Sequence, residues 1–73
     1  MNSINPTNPK NSTMVVFTPT YNEADNIKIF IEEIFTKLPN CKLVVVDDNS
    51  PDGTHRIVKE LQKKYNNLYL IVR

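Results

Sequence analysis

The sequence predicts an α/β fold built on a small parallel sheet, and three observations carry that prediction. Short apolar runs rich in β-branched residues occur at Met14–Thr18, Lys42–Asp47 and Leu68–Val72, and two stretches with helical periodicity separate them. Runs that are apolar on both faces suit strands of a parallel sheet, which is buried above and below. The resulting order, β-α-β-α-β, implies right-handed crossovers in a Rossmann-like unit. Strands added successively on one side give a three-stranded sheet of order 3-2-1 with both helices on the same face.

Each element has its own warrant. Residues 1–13 are mostly Asn, Ser, Thr and Pro, with Ile4 the one branched apolar side chain, so they read as a flexible leader to a domain over 14–73. Met14–Thr18 is the first strand, and Pro19 ends its capacity to donate ladder hydrogen bonds. Asn22 is placed as the N-cap of the first helix, with Glu23 and Asp25 in its first turn, where the macrodipole favours negative charge. That helix runs to about Leu38. Its apolar face is Ile27, Phe30, Ile31, Ile34, Phe35 and Leu38 at three-and-four spacing, and Pro39 closes it.

Lys42–Asp47 is the second strand. Ser50 before Pro51 matches an N-cap followed by proline at the first helical position, so the second helix is placed from there, with Ile57, Val58, Leu61 and Tyr65 as its buried stripe. Asn66-Asn67 breaks it, and Leu68–Val72 is the third strand.

Composition narrows the class. The 73 residues make one small domain with a limited core. Nine basic against eight acidic side chains, with no basic cluster, give no nucleic-acid footprint. Cys41 is the only cysteine and reads as a structural thiol in a reducing compartment. No apolar run is long enough to span a bilayer, and the leader lacks the basic start and apolar middle of a signal peptide, so the chain reads as cytoplasmic. In the second strand, Val44 and Val46 point opposite to Leu43 and Val45, yet two helices on one face cover only half of this sheet. The chain is therefore expected either to be the amino-terminal part of a larger domain, which is preferred, or to cover its bare face by self-association.

Candidate chemistry gathers where the first two strands end. Sequential parallel strands bring together Tyr21, Asn22, Glu23, Asp47 and Asp48 at the carboxyl edge, where open α/β sheets bind ligands. A dinucleotide site would put a glycine-rich turn after the first strand, whereas this loop has no glycine and places Glu23 at the helix start. Carboxylates accept base N–H groups or ribose hydroxyls, and an aromatic ring stacks on a base, so the cluster favours the nucleoside end of a ligand, with phosphates reached elsewhere through a divalent metal. A bland reading stands beside this one. Asp47 and Asp48 equally suit the end of a strand and an Asx-type turn, Tyr21 a packed loop ring, Asp52 the start of the second helix, and His55 an exposed position.

Phe17-Thr18-Pro19-Thr20-Tyr21-Asn22-Glu23 with Asn26, followed after the helix by Val46-Asp47-Asp48-Asn49-Ser50-Pro51-Asp52-Gly53-Thr54, resembles the opening of family-2 glycosyltransferases of the GT-A fold. The Ser-Pro-Asp-Gly-Thr ending is most similar to the polyprenyl- or dolichyl-phosphate mannosyltransferase branch, and the resemblance covers Met14–Arg73. It implies that Pro19, Tyr21, Glu23, Val46 and Asp48 line the pocket for the donor nucleotide, with Asp48 bonded to the nucleoside and Tyr21 packed against it. Asp47 is included as a further donor-site candidate, although neighbouring strand residues face opposite sides. Gly53 and Thr54 shape the helix entry.

The implied reaction moves a mannosyl group from GDP-mannose to a polyprenyl phosphate at the cytoplasmic membrane surface, with Mg²⁺ or Mn²⁺ against the leaving diphosphate. The Asp-x-Asp metal motif and the acceptor-side and catalytic residues of such enzymes fall beyond Arg73, so no metal site is placed in this chain, and the fragment alone is expected to be inactive. Two other classes remain. A receiver-like domain needs its acidic pair after the first strand and an aspartate closing the third, which here ends Ile71-Val72-Arg73. A nucleotide-binding or protein-interaction module without catalysis, or a family-2 transferase with another sugar or acceptor, is the stronger alternative.

Overall fold

The computed structural model describes residues 14–73. The leader assigned to 1–13 lies outside them. Five elements follow in the expected sequence: β1 Val15–Thr20, α1 Ile27–Lys37, β2 Lys42–Asp47, α2 Thr54–Gln62 and β3 Leu68–Val72. All pairing is parallel. Thr20 lies opposite Asp47 in the β1–β2 ladder, and Asp47 opposite Val72 in the β2–β3 ladder. The sheet order is β1-β2-β3 and not the 3-2-1 written from the sequence. The adjacency is the same, with β2 central, and only the edge from which the strands are counted differs.

Alternation along the strands separates the two faces. Leu43, Val45 and Asp47 of β2 are buried under the helices, together with Leu68 of β3. Ile27, Ile31 and Phe35 of α1 and Val58 and Leu61 of α2 complete that core with Cys41. Phe35 and Tyr65 stack with ring centroids 4.6 Å apart, joining α1 to the segment that follows α2. Burial pushes the Cys41 thiol up, as suits an inert packed cysteine.

The opposite face carries Val15, Phe17 and Pro19 of β1, Val44 and Val46 of β2, and Tyr69 and Ile71 of β3 in two-residue register. Phe17 is 67% exposed and Ile71 50%, so among the described residues nothing covers the face expected to be bare.

Four local expectations change. The first strand runs two residues past Thr18, through Pro19. The carbonyls of Met14 and Thr20 accept from the Lys42 and Asp48 amides, so by the strand's period of two the N–H that proline lacks would point away from β2. A proline is tolerated on that free edge.

The first helix begins at Ile27 and not after Asn22, whose backbone turns left-handed at φ 55°. Asparagine tolerates that region, and the chain makes one further turn closed by Asn26 and Ile27 amides on the Glu23 carbonyl. In the second helix the first residue is Thr54 and not Pro51, because Gly53 at φ 85° redirects the chain just before it. Phe30 is 38% exposed, outside the packed stripe of α1.

Candidate functional site

The site forms where the loops after β1 and β2 leave the carboxyl edge of the sheet. Asp48 donates its backbone N–H to the Thr20 carbonyl at 3.2 Å, which carries the parallel pairing one residue past the strand ends. Tyr21 and Asp48 each follow their strand by one position, so they emerge beside one another. Tyr21 is 56% exposed, and the Asp48 side chain is half exposed. Pro19 and Val46 are register partners on the uncovered face immediately behind them. The Glu23 side chain is exposed and borders a cleft of about 230 Å³ that also touches Thr18, Pro19, Thr20, Asn26, Ile27 and Phe30.

Asp47 stands apart from this group. It projects to the helix side of the sheet and is fully buried. Its carboxylate accepts the Thr20 hydroxyl at 2.8 Å, the Ser50 hydroxyl at 2.6 Å and the Ser50 backbone N–H at 2.9 Å. Burial would raise its proton affinity, but the bonds from Ser50 and then Thr20, with His55 nearby, outweigh it and hold the carboxyl below the usual carboxylate range. Such a group organises the loop from inside and presents no oxygen to a ligand.

His55, expected in solvent, is instead only 19% exposed at its side chain, with Nδ1 3.5 Å from an Asp47 oxygen. That nitrogen is buried without a hydrogen-bond partner. The reason for the change is the late start of α2, which turns its first exposed-looking position toward the carboxyl end of β2.

A second set of side chains ties the two loops together. The Asn22 amide donates to Ser50 Oγ at 2.9 Å, the Glu23 amide to Thr54 Oγ1 at 2.9 Å, and the Ala24 amide to Asp52 Oδ2 at 3.0 Å. The other oxygen of Asp52 accepts both the amide and the hydroxyl of Thr54. The bond from the Thr54 hydroxyl leads the effects that hold the Asp52 carboxyl below its ordinary value, against a smaller opposing effect of desolvation, and the Ala24 and Thr54 amides add to it. Asp52, one residue before the Gly53 N-cap, therefore sits at the start of α2 and bonds its first residue, and it also holds the first loop. The sequence reading missed that second role, because the bonded partners lie 28 to 31 residues apart. The available signal was the alternation Ser50-x-Asp52-x-Thr54, three short side-chain acceptors facing a loop whose amides had no assigned partners.

Arg73 closes the far side, with Nε 2.9 Å from Asp48 Oδ1 and its backbone N–H on the Asp47 carbonyl at 2.8 Å. Both charged groups are at least half exposed, so the pair contributes about 0–1 kcal/mol and leaves Asp48 available to a competing donor. Among the described residues no group of three or more His, Cys, Asp or Glu side chains could hold a metal ion. The two strand-end aspartates do not supply one, since Asp47 is buried and already bonded while Asp48 faces Arg73. The divalent ion that the sequence resemblance implies has no fit here.

Residues 15–73 match the family described as Glycosyl transferase family 2. The chain belongs to that family. Among curated proteins, it is 40% identical over 53 residues to the polyprenol monophosphomannose synthase of Mycolicibacterium smegmatis, covering 73% of this chain and 20% of that protein. It is 43% identical over 56 residues to the dolichol-phosphate mannosyltransferase of Pyrococcus furiosus, covering 68% and 15%. An uncharacterized glycosyltransferase of Mycoplasma genitalium is 38% identical over 58 residues, covering 75% and 20%. This family-2 chain thus spans a fifth or less of the length of these relatives. No solved structure gives a significant match. No helix among its described residues is long and apolar enough to cross a membrane.

Proposed function

We propose that this chain forms the donor-nucleotide-binding part of a longer transferase that moves a mannosyl group from GDP-mannose to a polyprenyl phosphate at the cytoplasmic face of a membrane. One observation carries the binding half of this reading: Asp48 and Tyr21 are each exposed one residue past the ends of paired parallel strands, at the carboxyl edge of the sheet, where the loops are already tied down. A carboxylate there accepts hydrogen bonds from a base or ribose, and the phenol ring packs against them. Pro19, Val46 and Glu23 would complete the site, with Pro19 and Glu23 on the neighbouring cleft and Val46 behind Asp48 on the uncovered face. Asp47 would serve from inside, fixing the loop that carries Asp48. The choice of mannose and of a lipid phosphate acceptor rests on the names of two relatives.

Transfer itself asks for groups that stabilise the leaving diphosphate, and the described residues include no cluster fitted to a metal ion. The catalytic, acceptor and metal-holding residues would belong to other parts of the longer protein, and the isolated chain would be inactive. The bare apolar sheet face agrees with a larger domain, because parallel sheets are ordinarily covered on both sides.

The test is a titration of GDP against the longer protein with Asp48 intact and as Asp48→Asn. The substitution keeps the size but replaces an acceptor by a donor, so loss of a charge-assisted bond should weaken binding by about 1.5–3 kcal/mol, roughly ten- to a hundredfold. Equal affinities would remove Asp48 from the site.

A further inference from the structure

We infer that Ser50, Asp52 and Thr54 are positioning residues that set the shape of the Tyr21–Ala24 loop, and through it the nucleotide pocket, by each taking one of three consecutive backbone amides. The inference rests on the nucleotide-binding reading and adds residues that do not themselves face the ligand.

Three observations converge on it. Consecutive amides of one loop donate to three different side chains of the other, at 2.9, 2.9 and 3.0 Å. The acceptors sit at every second residue around a turn closed by the Gly53 amide on the Ser50 carbonyl at 3.3 Å, so one compact turn of the second loop presents all three side chains to the first. Each acceptor is itself held. Ser50 is 2% exposed and bonded to the buried Asp47, and Thr54 is fully buried and bonded to Asp52. Both loops also turn through left-handed asparagines, Asn22 and Asn49, each at φ 55°. These left-handed turns are uncommon for residues other than glycine and persist where surrounding bonds over-determine them.

Two consequences follow for recognition. The latch consumes three of the four backbone donors of Tyr21–Ala24, leaving the side chains of Tyr21 and Glu23 outside. Consecutive free amides could have cradled a phosphate, so with all three occupied this loop offers side chains to a nucleoside and no amide nest to a diphosphate. The latch also makes the loop ordered before the ligand arrives, which removes an ordering cost from binding.

The experiment uses the longer protein with Thr54→Val, Thr54→Ser and Asp52→Ala, and reads amide hydrogen exchange at Asn22, Glu23 and Ala24 together with GDP affinity. Thr54→Val keeps the buried volume but has no hydroxyl, and Asp52 is exposed, so neither change empties the core. Thr54→Val should speed exchange at Glu23, and Asp52→Ala at Ala24, by about tenfold or more, the equivalent of one lost hydrogen bond. GDP should bind about tenfold more weakly to both, while strand amides from Leu43 to Val46 keep their protection. Thr54→Ser retains the hydroxyl and should restore both readouts.

Released amides with unchanged GDP affinity would overturn the positioning role and leave the nucleotide reading intact. Amides that exchange freely in the unaltered chain would show that the latch does not form. An unaltered longer protein with protected amides and no affinity for GDP would remove the nucleotide reading, and the positioning role with it.

Discussion

Replacing Asp47 should cost this small domain a large part of its stability, although Asp47 faces no ligand. The carboxylate is fully buried and accepts three hydrogen bonds, from the Thr20 hydroxyl, the Ser50 hydroxyl and the Ser50 amide. In Asp47→Ala the two hydroxyls can rotate toward other acceptors, but the Ser50 amide cannot. An orphaned buried donor costs about 1–3 kcal/mol, and each hydrogen bond to a charged group is worth about 1.5–3 kcal/mol net, so a total loss of about 3–5 kcal/mol is expected once the hydroxyls have relaxed. Domains are stable by only about 5–15 kcal/mol, so a substantial unfolded fraction should appear.

Asp47→Asn should cost less, about 1.5–3 kcal/mol. It keeps one oxygen for the two hydroxyls, and its amide nitrogen, though opposed to the Ser50 N–H, can face the unpartnered Nδ1 of His55. Urea unfolding of the three proteins gives the comparison. If Asp47→Ala unfolded within about 0.5 kcal/mol of the unaltered chain, the size of an ordinary surface substitution, the buried network would not be holding the loops.

The same carboxylate predicts a pH dependence. Its folded-state value lies below its unfolded one, so it stabilises the fold above the ordinary carboxylate range, and this contribution is lost as pH falls from about 4 through the depressed folded value. The urea midpoint of the unaltered chain should approach that of Asp47→Asn across this window, and a constant gap between them would contradict the assignment. Gly53→Ala should cost about 1–2 kcal/mol, the penalty of a side chain in the left-handed region. The added Cβ would meet nothing closer than Arg56 Cδ at 4.0 Å, so strain and not collision sets the cost. Gly53→Asn should cost less, and an alanine variant as stable as the unaltered chain in urea would refute the strain argument.

Much of the architecture was legible because it rests on local periodicity. Alternating Leu43, Val44, Val45 and Val46 fix a strand apolar on both faces, and the spacing of Ile27, Ile31 and Phe35 fixes a helix stripe. Connections between such elements have few allowed topologies. The uncovered face could likewise be counted from the sequence, since two crossover helices on one side leave the other without cover.

The element boundaries were less legible. Asn22 and Ser50 both carry the side chains of good N-caps, and local propensity places helix starts at each. In the folded chain Ser50 takes the Asn22 amide and the Asp47 carboxylate, partners far away in sequence, and both helices begin about four residues later. Local preference lost to tertiary hydrogen bonds, which no periodicity records.

The acidic pair shows the same division. Adjacent positions at a strand end dictate that Asp47 and Asp48 point to opposite sides, and the sequence determined that much by itself, together with the parallel β-α-β-α-β order and the family motifs. Which of the two enters the core was decided only by the tertiary structure. Both helices pack on the face bearing Leu43 and Val45, so Asp47, in step with them, is buried and must be satisfied by Thr20 and Ser50, while Asp48 is left in solvent beside Tyr21. The physical reason is that strand alternation fixes relative direction, whereas burial depends on what covers each face, and that cover comes from residues distant in the chain.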